Sequence, residues 1–156
     1  MTQVTYCNIT RRYRFDTVLE VACRIQEIER VRSHMTSLLD LLKYSLNIKR
    51  QICLALDEAM TNAIEHGSLQ GQLHIEVAYS INPTVCILQV IDHGGCTFNP
   101  EYFEKLATMK GWGLGGRGIY LIKSLMDEVY YFFHPGKSTT LVMIKNSASD
   151  ACKKPS

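Results

Sequence analysis

The stretch LALDEAMTNAIEHG, residues 54–67, decides how this chain is read. Its apolar residues hold helical spacing, and Glu58 and Asn62 fall one turn apart, so the two polar side chains point the same way. On a helical wheel at about 100° per residue with Glu58 at the origin, Asn62 falls at about 40°, while Ile52, Leu56, Ala59 and Ala63 gather at roughly 100° to 160°. The polar pair therefore borders the stripe that a core would bury. A carboxylate able to accept a proton, beside a neutral oxygen ligand for a hard cation, is the pairing that metal-assisted phosphoryl transfer requires. A surface helix with two ordinary polar residues would carry the same letters, so the pair gains meaning only from its surroundings.

At 156 residues and 46% hydrophobic content, the chain has the size of one domain with one substantial core. Charged residues at 21% and aromatics at 9% are globular values, which excludes disorder for the bulk of it. A net charge of +2 goes with no long basic patch, and Arg11, Arg12 and Arg14 read as the solvated face of a strand, not as a nucleic-acid reader. The N-terminus has no continuous apolar region and no later run approaches membrane-spanning length, so a cytoplasmic location is expected. Cys7, Cys23, Cys53, Cys86, Cys96 and Cys152 form no C-x-x-C pair, and His66, His74, His93 and His134 lack ligand spacing. Reduced thiols are expected, with neither a disulfide framework nor a zinc site.

The rest of the chain divides into helices and strands around that stretch. Residues 4–15 alternate as an edge strand would, Asp16 and Thr17 read as a turn, and residues 18–23 as a second strand. Between residues 26 and 43, Ile28, Val31, Met35, Leu39 and Leu42 predict an amphipathic helix, with Arg32 beside its buried stripe and Arg30 facing water. Asn47 is a candidate cap for the helix of Glu58, and Gly67 a natural stop after the helix-end residue His66. QLHIEVAYSI and TVCILQVID, separated by Asn82 and Pro83, read as a hairpin. A short helix is expected around residues 100–109, and another around Ile119, Ile122, Leu125 and Met126. EVYYFFH and TTLVMIK then flank a Pro135-Gly136 turn, and the tail from Asn146 is expected to fray. Helices grouped around antiparallel hairpins predict a two-layer α/β sandwich instead of a βαβ fold.

Two further clusters carry chemistry. The strand TVCILQVI ends in Asp92-His93-Gly94-Gly95. There a carboxylate can accept a hydrogen bond from an exocyclic amine, and a glycine two residues on lets a flat ring approach the backbone. Farther along, Gly111, Gly113, Gly115, Gly116 and Gly118 feed a helix N-terminus, whose exposed N–H groups and dipole favour phosphate oxygens. Two overlapping G-x-G-x-x-G matches occur here, but they follow a polar helical segment, not a strand, and no βαβ units come after them. Trp112 inside the loop can cover a nucleotide or partner, or anchor the loop on the core. Arg32 is either a phosphate contact or half of a surface ion pair.

These clusters, in this order, resemble the GHKL or Bergerat-fold ATPases, and most closely the bacterial anti-sigma-factor serine/threonine kinases. LALDEAMTNAIEHG is similar to that family's N-box, VIDHGG to its first glycine box, GGRGIYLIKSLMDEV to its second and STTLVMIK to its closing strand. The resemblance covers residues 18–145, leaving 1–17 as an N-terminal strand or arm and 146–156 as a disordered tail. It implies a mixed, mostly antiparallel sheet with helices packed on one face. It also implies ATP and Mg2+ as cofactors, Glu58 as general base and Asn62 as the magnesium ligand. Asp92 would then bind the adenine amine with Gly94 below the ring, Gly116 and Gly118 would face the phosphates with Arg32, and Thr139 would lie near the adenine.

The implied partners are a STAS-type anti-anti-sigma protein and a sigma factor, with no direct nucleic acid or membrane contact, and a homodimer is allowed. The sequence departs from the family where a lid arginine is usual, having Leu114-Gly115 there with Lys110 the nearest upstream cation. It also has Ser138 where a glycine is usual, and about one extra residue after the first glycine box. The missing arginine keeps open a partner-switching module that binds ATP without efficient catalysis. The ATPase half of a sensor histidine kinase and an NAD-binding oxidoreductase are more distant alternatives.

Overall fold

A computed structural model of the 156-residue chain describes residues 14–69, 71, 73–93, 117–134 and 138–148. Five strands and three helices are described: β1 (Thr17–Ala22), α1 (Gln26–Leu41), α2 (Leu46–Leu69), β2 (His74–Ile81), β3 (Val85–Asp92), α3 (Arg117–Leu125), β4 (Glu128–His134) and β5 (Ser138–Asn146). The strands form one sheet in the order β1-β2-β3-β5-β4, every described pairing antiparallel. The helices lie against one face of it.

The period-2 pattern of the strands determines which residues meet the helices. Ile75, Val77 and Tyr79 of β2, Cys86, Leu88 and Val90 of β3, and Leu141 and Met143 of β5 share a core with the buried stripes of all three helices. The intervening residues Val85, Ile87, Val142 and Ile144 form a smaller buried cluster with Phe132 on the opposite face, where Phe15 packs. The wheel drawn for α2 holds, since Ile52, Leu56, Ala59 and Ala63 are all buried. In α1 the buried residues are Ile28, Val31, Met35 and Leu39, and a hydrogen bond between His34 Nδ1 and the Tyr79 hydroxyl joins α1 to β2.

Local chemistry shifts several element ends from their expected positions. The cap of α2 is Ser45, whose Oγ accepts the Ile48 N–H at 3.3 Å; Asn47, the expected cap, lies inside the first turn. Gly67 does not stop α2, which runs to Leu69; the following turn uses Gly71, at φ 73°. α1 ends at Leu41, and Lys43 takes the left-handed conformation (φ 59°) that lets the Tyr44 N–H reach back to Leu39 O at 3.0 Å. β1 begins at Thr17 and stops at Ala22, and Arg14 and Phe15 are not strand. In the hairpin, Asn82 Oδ1 accepts the N–H groups of Thr84 (2.9 Å) and Val85 (3.0 Å), the local bonding that makes Asn a turn residue.

Residues 4–13 of the edge strand expected over 4–15, the helix expected around 100–109, the Pro135-Gly136 turn and residues 149–156 of the tail expected from Asn146 lie outside the described residues, while Asn146 itself closes β5. Among the described residues Cys23, Cys53 and Cys86 are free thiols, and no helix is long and apolar enough to cross a membrane.

Candidate active site

Glu58 and Asn62 are held by the burial of their helix. Their neighbours Leu56, Ala59, Met60 and Ala63 fix α2 on the sheet, leaving the two polar side chains half-buried at its border. The first turn of α3 meets them there. A Cβ on Gly118 would lie 2.8 Å from Glu58 Oε2, 3.2 Å from Asn62 Nδ2 and 3.4 Å from Asn62 Oδ1. Real Cβ atoms essentially never come within 3.0 Å of a neighbour, so glycine lets α3 approach the pair with the Glu58 carboxylate left in place. The first-turn N–H groups of a helix lack intrahelical acceptors and sit at the positive end of its dipole, so this end of α3 brings anion-binding character to Glu58 and Asn62.

Beyond Asn62 a small cleft opens between α2 and the sheet. Its lining comprises Ala59, Asn62 and Ala63 of α2, Val90 and Asp92 of β3, Tyr131 of β4, and Thr139 and Leu141 of β5. Ala59 and Ala63 are small enough to leave that space open, and strand register sets its polar end, where Asp92 stands directly opposite Thr139. Asp92 is only 7% exposed, a carboxylate kept within a mainly apolar wall. Such a cleft, apolar along its walls and with a carboxylate at one end, has the chemistry to take a flat ring bearing an exocyclic amine donor. The charge on Asp92 reaches Cys23 at the end of β1: burial raises the pKa of that thiol, and Asp92 raises it further.

Arg32 is engaged elsewhere. Its Nη1 donates to Asp57 Oδ2 at 2.6 Å, an ion pair between α1 and α2 with side chains 39% and 27% exposed. Asp57 Oδ1 is buried without a hydrogen-bond partner among the described residues. Of the two readings of Arg32, the ion pair is the one the structure exhibits, and Arg32 is not part of the cleft lining.

Thus Asn62, Asp92 and Thr139 share one cleft, and Glu58 and Gly118 adjoin it through Asn62. Gly94, Gly116, Lys110, Trp112 and Leu114-Gly115 lie outside the described residues. The sequence reading missed Ala59, Ala63, Val90, Tyr131 and Leu141 as cleft walls; the alanines at i and i+4 beside Asn62 were the available sign. It also missed Asp57 as the partner of Arg32, because no spacing rule links residues on two different helices.

The described residues contain no group of three or more His, Cys, Asp or Glu side chains that could hold a metal ion. A cation beside Asn62 could take further oxygens from a ligand that carries it. The groups present fit that case: a neutral amide oxygen and a nearby carboxylate suit a hard cation, and a helix N-terminus suits the polyanion that would carry it.

The family profile described as "Histidine kinase-like ATPase domain" matches residues 21–145. No curated protein matches the chain. Among solved structures, a chain of the SiaB-SiaC complex from Pseudomonas aeruginosa is similar in fold, with a TM-score of 0.64 at 12% sequence identity. That similarity covers 90% of this chain and 95% of the other. Fold and family match agree on the sandwich expected from the N-box and glycine boxes, an α/β fold with a largely antiparallel sheet and helices packed on one face.

Proposed function

The chain belongs to the histidine kinase-like ATPase domain family, and from that premise we propose that it is an ATP-binding anti-sigma regulatory factor with serine/threonine kinase activity. In this reading it phosphorylates a STAS-type anti-anti-sigma protein in the cytoplasm and sequesters a sigma factor. The observation that carries the proposal is the convergence of Glu58, Asn62 and the Gly118 backbone at the mouth of a cleft containing Asp92 and Thr139.

Each residue has a definite task. Asp92 accepts the exocyclic amine of adenine, with Gly94 under the ring and Thr139 beside it, between walls made by Ala59, Ala63 and Val90. Gly116 and Gly118 present backbone N–H groups to the phosphates, and Asn62 supplies an oxygen to Mg2+. Magnesium-bound ATP supplies the transferable phosphoryl group and the charge that retains the cation. Glu58, next to Asn62 on the same helix face, accepts the proton of the partner's serine or threonine hydroxyl and so makes it the nucleophile. Arg32, released from Asp57, is available as a phosphate contact. A chain of similar fold occurs in a two-protein complex, in keeping with a partner-binding role, and a homodimer is compatible with it.

A second reading, an ATP-dependent partner-switching module with weak catalysis, is favoured by Leu114-Gly115 standing where a lid arginine is usual. Incubating the chain with γ-labelled ATP and proteins captured from the native cytoplasm separates the two. Label on a serine or threonine of a captured STAS protein supports the kinase, whereas nucleotide-dependent capture without label supports the module. Loss of all nucleotide-dependent binding would remove both.

A further inference from the structure

Lys145 is a buried ammonium group remote from the tasks just assigned. Its residue is 3% exposed on β5, on the helix-facing side of the sheet. Nζ donates to the Leu125 carbonyl at 2.8 Å and lies 3.6 Å from Asp127 Oδ1. Leu125 is the last residue of α3, so its carbonyl is one of those a helix end leaves without an intrahelical donor, at the negative pole of the dipole. Asp127 is itself tied to the same strand, its N–H donating to Ile144 O at 2.9 Å and its Oδ2 accepting the Asn146 N–H at 2.7 Å. The C-terminal end of α3 is thus fastened to β5 by directional bonds.

The opposite end of α3 is the turn that meets Glu58 and Asn62. The helix has nine residues, about 13.5 Å at 1.5 Å per residue, so fixing one end fixes the other. Ile119 and Ile122 seat its buried face. Apolar contact is non-directional and permits sliding along the axis, whereas a hydrogen bond to a particular carbonyl does not. A methionine could fill the volume without the desolvation cost of a buried cation, but it has no donor for the helix end. β5 also carries Thr139, so the clamp ties α3 to the strand that lines the cleft.

We propose that Lys145, braced by Asp127, is a positioning residue that sets the axial register of α3 and thereby holds Gly118 against Glu58 and Asn62. The consequence for nucleotide binding rests on the function proposed above; the consequence for α3 does not.

Hydrogen exchange and MgATP calorimetry on the full chain and its Lys145→Met and Asp127→Asn variants test it. In Lys145→Met, exchange across residues 118–125 should accelerate about tenfold or more while residues 52–63 of α2 keep their protection, the signature of a local opening. Its MgATP affinity should fall about tenfold, the scale expected when a supporting contact lets a site loosen. Asp127→Asn, at a more exposed position, should shift both readings the same way by less. Equal acceleration throughout the molecule, or unchanged exchange in α3, would overturn the proposal. If the unaltered chain binds no MgATP, the functional reading falls, and the exchange pattern alone decides the clamp.

Discussion

Gly118 on α3 leaves no space for a side chain beside Glu58 on α2: a Cβ there would stand 2.8 Å from Glu58 Oε2. The crowded atom is the far end of a flexible side chain, so Gly118→Ala should displace the carboxylate without dislodging the helix. Better helix propensity and tighter packing act in opposite directions, and the net stability change should stay within about 1 kcal/mol. Phosphoryl transfer should fall about 10²-fold, because a catalytic group shifted by an ångström loses its alignment. Thermal unfolding beside a label-transfer assay checks both halves; unfolding of the variant would show that the contact is structural.

Asn62 is expected to serve the cation, not the ring. Asn62→Ala should weaken ATP binding in the presence of Mg2+ by on the order of tenfold and leave the weaker magnesium-free binding nearly unchanged. Calorimetric titrations with MgATP and with ATP plus a chelator check this. Equal losses in the two titrations would reassign Asn62 to the nucleotide.

At the other end of the cleft, Asp92 stands opposite Thr139 and is expected to select for an exocyclic amine. Hydrogen bonds to a charged group contribute about 1.5–3 kcal/mol, so Asp92→Asn should weaken ATP binding roughly 10- to 100-fold. Inosine triphosphate lacks the amine, so the unaltered chain should prefer ATP and the variant should largely lose that preference. Competition binding with the two nucleotides measures it directly.

The core of the fold was legible because its signals are local and repetitive. The wheel of α2 follows from a single period, and the apolar runs of β3 and β5 are the pattern of central strands buried on both faces; the burial of Leu56, Ala59, Leu88 and Met143 agrees with both. Element ends were less legible, since several short polar residues compete to cap. Ser45 caps α2 though Asn47 was also available, and Gly71, not Gly67, takes the left-handed turn. The site was legible as three motifs but not as a shape. The Arg32–Asp57 pair, the alanine walls and the Lys145 clamp depend on which elements pack together, and sequence separation does not encode that.

Alkaline pH should destabilise the fold. Burial raises the pKa values of Cys23, Cys86, Tyr44 and Tyr79 above their ordinary values, 9.0 for the thiols and 10.0 for the phenols. A group whose pKa is raised on folding contributes stability in full below its unfolded value and loses it as pH climbs through the folded one. Stability should therefore be insensitive to these groups near neutrality and decline above about pH 9. Denaturant melts across pH 7–11 test the direction. Since Asp92 adds to the rise at Cys23, Asp92→Asn should also speed alkylation of Cys23 at pH 8, while buried Cys86 stays inert.

The Arg32–Asp57 pair is partly exposed, and such pairs contribute only about 0–1 kcal/mol. Arg32→Ala should accordingly change stability little. If Arg32 contacts phosphate once ATP is bound, the same variant should weaken ATP binding several-fold, and Asp57→Asn, which frees the guanidinium, should not. Parallel melts and binding isotherms separate a structural ion pair from a phosphate contact.

Replacing the Glu58 carboxylate is the most direct test of its proposed role as the base of a protein kinase. The measurement compares unaltered chain and Glu58→Gln for MgATP affinity and for transfer of labelled γ-phosphate to the proposed STAS-type partner. Near-equal affinity is expected, with transfer reduced about 10²- to 10⁴-fold in the variant. Transfer at the unaltered rate with Gln at position 58 would contradict it.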